Sequence, residues 1–410
     1  MPGATQEKLA EIKQVKRSAA MPEDFVLFKD GPVAQWLRHV PALRPIVDSP
    51  VHRVLIAVTI TWVPLLVLSI LGGLAFGGAA LPFFKDFQTQ IRMLVSLPLY
   101  IIGAHVAHRI TRGGMHEFVA RGIVREKDRA KFKSIQRAAS GWNHSLILRL
   151  AIIAAVAVAG PMVWAQGLAS RQVSAWYGET GASGTVLTLA GYWLVWVANP
   201  IFQYLHLLWA VRLLMYAVTL ARIAMLNLYL VATHPDRAGG IGFLGERVYG
   251  FVEFVTAEGA AVAGVLANRI FHEGRSLGEF KLDILGTAIL VTVMVFGPMC
   301  VFIPRLFRAR RLGQVEYGEI ANRYVREFEK AWVWGKARSE GRQLLGAADV
   351  QSLADMAHSF DIVDGMRPVP FSNRVVIGTL VSFLLPIAPL LLTVIPAEQL
   401  LDKIIHSFVG

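Results

Sequence analysis

Two carboxylates, Glu253 and Glu258, interrupt one long apolar stretch of the chain, and two guanidinium groups, Arg149 and Arg212, stand in others. Holding a charge at the middle of a bilayer costs roughly 2.5–3.5 kcal/mol on insertion scales. Such groups therefore turn towards protein or water, and they mark ion pairs or ion paths. Glu258 stands deepest in its run. Glu253 precedes it by five residues, about 140° around a helix, so the two do not share a face. One of them can pair with Arg212 or Arg149 while the other lines a cavity or an oligomer axis. Gly259, Ala260, Ala261, Ala263, Gly264 and Ala267 follow directly. Small residues let helices approach closely; a narrow pore lined by them is the sharper alternative.

A second group of candidates lies in one short polar run, His234-Pro235-Asp236-Arg237-Ala238-Gly239-Gly240. His234 and Asp236 could ligate a metal, and Gly239, Gly240 and Gly242 could let backbone N–H groups approach an anion. The plainer expectation is a turn: Pro235 stops a helix, Asp236 caps the turn, and the glycines start the next helix tightly. Asp355, His358 and Asp361, spaced by three, are candidate ligands for a divalent metal. A solvated face opposite Leu353, Met356 and Phe360 is the bland alternative. His105 and His108 pair at i, i+3 near the end of an apolar run, where imidazoles sit at the headgroup level or titrate near neutral pH. Pro386 and Pro389 can kink the last apolar run and leave carbonyls free. The single cysteine, Cys300, excludes an intramolecular disulfide and a Cys-rich metal site. No Gly-rich phosphate loop, His-Glu-x-x-His or Ser-nucleophile elbow occurs, so no catalytic residue is assigned and no cofactor is implied.

The elements that must position these groups are membrane spans. The 410 residues are 54% hydrophobic and 17% charged, and a soluble domain carries about 25% charged residues. A span needs roughly 20 residues. The apolar runs are Val54–Phe76, Met93–Val106 (extending back over Ile91), Leu146–Leu168, Thr185–Val231, Phe243–Ile270, Ile284–Ile303 and Val375–Ile395. The polar stretch before Val54 is too long for a signal peptide's n-region, so the first run reads as an uncleaved span. The fourth run is about twice the length a span needs. It should leave the membrane and continue as helix to Val231, with a kink at Asn199–Pro200. Gly73 and Gly77 make a Gly-xxx-Gly spacing suited to helix association.

Lys and Arg set the orientation. With an inner N-terminus and seven crossings, only Lys85, Arg92, Arg171, Arg269, Arg275, Lys281 and Lys403 of the 41 basic residues fall outside. The dense clusters Arg109–Arg137 and Arg305–Arg342 lie inside. The net charge of +12 then reflects attraction to an anionic inner leaflet and calls for no nucleic acid. Leu312–Trp334 carries an apolar helical stripe, so Ile320, Tyr324 and Phe328 should pack against protein. This helix continues the sixth span with any break near Pro304 or Gly313. Ala347–Val363 gives a second stripe. The expected fold is all-α: a polytopic membrane helix bundle of about seven transmembrane helices with a helical cytoplasmic layer. Its parts are an N-terminal segment 1–53 with a surface helix at Val33, Trp36, Leu37 and Val40; spans one to six over 54–303, with a basic loop 107–145; a cytoplasmic helical segment 304–374; the last span 375–396; and a short outer helix 397–410.

Three runs carry a resemblance: His234-Pro235-Asp236-Arg237-Ala238-Gly239-Gly240-Ile241-Gly242-Phe243-Leu244, Asp349-Val350-Gln351-Ser352-Leu353-Ala354-Asp355, and Leu384-Leu385-Pro386-Ile387-Ala388-Pro389-Leu390-Leu391-Leu392-Thr393-Val394-Ile395-Pro396. Together they resemble signatures of a bacterial family of multi-pass inner-membrane proteins with no assigned activity. The resemblance implies a bacterial inner membrane and supplies no substrate. From the residues, the leading expectation is a channel or transporter for ions or small solutes, assembled as a homo-oligomer. A non-transporting scaffold or sensor with a partner-binding cytoplasmic layer, and a membrane-embedded lipid-active enzyme, are the alternatives.

Overall fold

The computed structural model describes residues 25–28, 39, 40, 44, 48–169, 174–181, 184–335 and 348–393. The helices are α1 Pro50–Leu71, α2 Phe87–Ala120, α3 Arg129–Asn143, α4 Leu146–Ala169, α5 Leu189–Ala224, α6 Phe243–Glu273, α7 Leu277–Cys300, α8 Ile303–Phe328, α9 Ala348–Asp364 and α10 Asn373–Leu384. The one sheet among the described residues is an antiparallel hairpin of β1 Gly178–Gly181 and β2 Gly184–Leu187. The bundle is all-α in class. Five helices (α1, α2, α5, α6 and α7) are long and apolar enough to cross a membrane, and α4 makes a sixth if the pair α3–α4, bent by 44°, counts as one span. Several apolar helices of this kind make the chain a membrane protein.

Burial orders the bundle. Helix α6 is central: Phe254, Val255, Ala257, Ala260, Ala263, Leu266 and Ala267 are all buried. Around it pack α2, α10 and α7, with α5 alongside α2 and α7. The outer helices keep apolar faces exposed, Leu282, Leu285, Ile289 and Val293 on α7 and Val51, Leu55, Val67 and Leu71 on α1. Apolar surface this extensive is what a soluble monomer avoids and a bilayer covers.

Prolines shape the long helices. Pro64 cannot donate to the turn before it, and α1 breaks at Trp62. Helices α2 and α5 meet the same demand differently: a π-turn, Arg92–Ser96 or Leu194–Ala198, precedes Pro98 or Pro200. The kink expected at Asn199–Pro200 is therefore a widened turn just before it.

Several expectations need correction. The seventh run, residues 375–395, does not form a spanning helix. Helix α10 stops after 12 residues at Leu384, Pro386 lies in a turn, and Pro389 lies in the 3-10 helix Ala388–Thr393. Each proline removes a donor that a continuous helix would need. The segment still runs from Pro370, whose carbonyl accepts from Gly245 N–H, to the start of α7 at Leu277–Phe280. Helix α5 ends at Ala224 and does not reach Val231. The tail instead runs extended beside α2's end, Leu228 bridging Val124 and Tyr229 N–H donating to the Ile123 carbonyl at 2.8 Å. Much of the basic stretch 107–145 is helix, not loop, in α2 and α3. Gly73 and Gly77 lie past the end of α1 in a turn, Gly73 at φ 69°, and bring no helices together. Residues 33, 36 and 37 and 397–410, assigned to the surface and outer helices, lie outside the described residues.

Helices α8 and α9 pack against each other as a hairpin at the end bearing Arg121, Arg125 and Arg305, here termed the basic end. The break before α8 falls at Val301–Phe302, with Pro304 in its first turn, as the sequence suggests. Gly313 does not break α8; it lies against Ala232 and Val363. Tyr324 donates to the Asp349 carbonyl at 2.8 Å, and Trp332 to the Asp349 carboxylate at 3.1 Å. Ile320, expected to be packed, is 49% exposed. Ile320→Ser should therefore change the thermal unfolding midpoint little, corresponding to within about 0.5 kcal/mol, while hydrogen exchange finds the amides of α8 protected. A large destabilisation would mean that Ile320 is covered by something.

Candidate intramembrane site

The bundle brings three polar side chains together at mid-span: Tyr100 from α2, His206 from α5 and Glu258 from α6. Two hydrogen bonds fix the approach. Ser96 donates to the Ala257 carbonyl at 2.9 Å, pinning the π-turn of α2 to α6, and the Trp209 indole donates to the Tyr100 carbonyl at 3.0 Å, pinning α5 to α2. The Tyr100 hydroxyl donates to Glu258 Oε1 at 2.7 Å. His206 Nδ1 lies 3.0 Å from the same Oε1 and 3.0 Å from the Tyr100 hydroxyl. The three atoms form a closed triangle. Glu258 is 8% exposed, whereas the His206 side chain is 48% exposed. Phe202 and Phe254 flank Tyr100, and the Arg92 guanidinium lies over the Phe202 ring at 5.5 Å.

On the basic-end side a layer of rings closes the bundle. Trp209 stacks on Phe254 at 5.0 Å, and Phe28, from the segment before α1, meets Trp209, Tyr216 and Phe251. Phe25, Leu27 and Phe28 are all buried. This short apolar cluster ahead of the first span had been passed over within a polar stretch.

Glu253 lies half-buried where α6 crosses α2 at Gly103: a Cβ on Gly103 would fall 2.8 Å from the Glu253 Cβ. Its Oε2 is buried without a hydrogen bond among the described residues. The expected partners of the two carboxylates are not their partners. No ion pair among the described residues joins Glu253 or Glu258 to Arg149 or Arg212. Arg149 instead donates to the Tyr204 hydroxyl at 3.3 Å and the Asn143 carbonyl at 3.1 Å, closing the α3–α4 bend, and Arg212 is buried on α5. Tyr100 and His206 went unsuggested. The available signal was His206 itself, a costly imidazole midway along an apolar run.

Two further polar knots bracket the site. At the end opposite the basic end, buried Asp86 accepts from Thr89 N–H (3.2 Å), the Thr89 hydroxyl (2.7 Å), the Trp176 indole (3.0 Å) and the Asn268 amide (2.7 Å). Four donors offset the desolvation of a buried carboxylate. Near the basic end Arg247 pairs with Glu117, which also meets Arg121 at 2.5 Å.

The His234–Gly240 run is a structural hub. Asp236 Oδ1 accepts from Ala238 N–H at 2.8 Å and Gly240 N–H at 3.1 Å, and Oδ2 from Gly242 N–H at 2.8 Å. Arg237, Gly239 and Gly240 take positive φ (51°, 65° and 95°) to aim those amides inward. His234 Nδ1 lies 2.9 Å from Asp236 Oδ1. Arg237 pairs with Asp361 at 3.2 Å, and Arg367 donates to the Asp236 carbonyl at 2.8 Å, tying the loop to α9. The amides expected to meet an anion meet Asp236 instead. Asp355 accepts from Gln351, and among the described residues no three metal-ligating side chains converge, at Asp355, His358 and Asp361 or elsewhere.

Burial alone would raise the Asp236 carboxyl, but the three backbone donors and His234 outweigh it and hold it below the usual carboxylate range. A depressed folded-state value contributes stability above the unfolded value, about 3.9, that is lost as pH falls through the folded one. Hydrogen exchange, corrected for intrinsic rate, should show the amides of Ala238, Gly240 and Gly242 protected at neutral pH and released in acid. Asp236→Ala should release them at neutral pH. Protection that survives in that variant would show that Asp236 does not hold the loop. No family model, curated protein or solved structure matches the chain.

Proposed function

We propose that this chain moves a small cation across a bacterial inner membrane along the seam between α2 and α6. The observation that carries the reading is Glu258: a buried carboxylate at mid-span, held by a tyrosine and a half-exposed histidine. An intramembrane carboxylate is costly, and such groups serve ion paths. Polar groups also recur along the seam. From Asn268 to Glu258, Glu253 and Arg247 the steps along α6 are about 15, 7.5 and 9 Å. The ring layer at Phe28, Trp209 and Phe254 makes this a closed arrangement, because packed aromatics leave no room for a hydrated ion. Among the described residues no ligand set converges to support the lipid-enzyme reading, and the scaffold reading rests on apolar side chains that α8 leaves exposed, Leu312, Val315 and Ile320.

The full chain reconstituted in vesicles should dissipate a cation gradient. Absence of flux for protons, sodium and potassium alike would overturn the reading. The proposal includes seven crossings, with α10 and the 3-10 turn after it as a broken last span, an inner N-terminus and membership of the bacterial family the sequence resembles. A reporter active only outside the cytoplasm should work after Gly410 and stay silent within residues 121–137. The reverse pattern would overturn the orientation.

A further inference from the structure

We infer that the transported ion is the proton, taken up at His206 and passed to Glu258, with Tyr100 as the switching hydrogen-bond donor between them; this rests on the transport reading above. The geometry excludes a metal cation from the triangle as it stands. Tyr100 OH, His206 Nδ1 and Glu258 Oε1 lie 2.7–3.0 Å from one another, each within hydrogen-bond reach of the other two. A proton needs no space beyond those bonds.

The step balances as follows. With Glu258 ionised and His206 carrying its proton on Nδ1, both Tyr100 and His206 donate to Oε1. A proton from water binds Nε2, giving an imidazolium. The Nδ1 proton then moves to Glu258 Oε1, leaving a neutral carboxyl and an imidazole protonated at Nε2. Nδ1 is now an acceptor, and the Tyr100 hydroxyl turns from Oε1 to Nδ1 without moving its oxygen. Cluster charge rises from −1 to 0 with one proton gained and no other bond changed. His206 is taken as the port because it alone of the three reaches the surface of the bundle, its side chain 48% exposed. Arg92, whose guanidinium lies over the Phe202 ring, stands towards the end opposite the basic end. Glu253 lies about 7.5 Å further along α6 towards the basic end, beyond direct hydrogen-bond reach of Glu258.

The test is flux in vesicles of mixed zwitterionic and anionic phospholipid, with a pH-sensitive dye inside and equal gradients of protons, sodium and potassium applied in turn. Proton flux should dominate. His206→Gln should lower it by roughly 100-fold, the low end of what a positioned proton-transfer group contributes. Tyr100→Phe should lower it less. In infrared spectra the protonated-carboxyl band should vanish in Glu258→Gln and titrate at a different pH in His206→Gln. Proton flux unchanged in a folded His206→Gln would overturn the relay. Sodium or potassium flux without proton flux would overturn the proton and leave transport standing. No flux of any of the three would overturn transport and the proton with it. Should His206→Gln fail to fold, the ion selectivity of the wild type decides.

Discussion

Glu258→Gln is expected to remove cation flux almost entirely while the protein still folds. The substitution keeps the side chain's shape and an oxygen that can accept from Tyr100. What disappears is the negative charge and the ability to take a proton. Had Glu258 been half of a buried ion pair, the change would strand an arginine, at about 3–5 kcal/mol. Its actual partners, Tyr100 and His206, can both be neutral. The expected cost is that of weakened hydrogen bonds, about 1–2 kcal/mol. Flux per folded molecule should fall by roughly 100-fold or more, measured beside the unfolding midpoint in detergent. Unchanged flux would remove Glu258 from the path. A loss of stability near that of a broken ion pair would mean that a cation does face it.

Gly259→Ala should be among the most disruptive single methyls in the bundle, beside Gly191→Ala on α5, whose Cβ would stand 1.9 Å from the Tyr177 carbonyl oxygen. A Cβ at Gly259 would stand 2.0 Å from the Phe383 carbonyl oxygen and 2.9 Å from its carbon. Both are backbone atoms of α10, so no rotamer change relieves the clash and the helices must separate. Overpacking typically costs about 1–3 kcal/mol and more where the neighbour cannot give, so a loss of about 3 kcal/mol is expected. Gly286→Ala on α7 is the control, since nothing lies within 4 Å of its Cβ position. There the better helix propensity of alanine should be neutral or favourable by up to about 1 kcal/mol. Equal unfolding midpoints for the two variants would refute the close approach of α6 and α10. The run of small residues after Glu258 is thereby explained as packing: Gly259 admits α10, and Gly264 admits the start of α2 at Phe87 and Gln88.

The legible part of this protein was whatever depends on composition along one helix. The long apolar helices α1, α2, α5, α6 and α7 follow from apolar runs, because length and hydropathy alone decide whether a segment suits a bilayer. Helix α9 and the break before α8 follow from local periodicity and from Pro304. The turn at His234–Gly240 follows from residue types that favour turns, and Asp236 does cap it. The end of α5 and the stop of α10 at Leu384 were not legible. An apolar run looks the same whether it is helical throughout or, like residues 225–231, pairs with a neighbouring segment.

The sequence by itself determined that the chain is a membrane helix bundle and that Glu258 is a buried carboxylate at depth, because burial cost is a property of the side chain and its place in the run. Only the tertiary structure decided what that carboxylate meets. Tyr100, His206 and Glu258 are more than fifty residues apart at the nearest, on three helices, and no spacing along the chain encodes their contact. Their meeting depends on where π-turns before Pro98 and Pro200 rotate α2 and α5, and on how closely glycine lets α6 approach its neighbours. Those are properties of packing between helices, and they turned an expected arginine pair into a tyrosine–histidine–glutamate triangle.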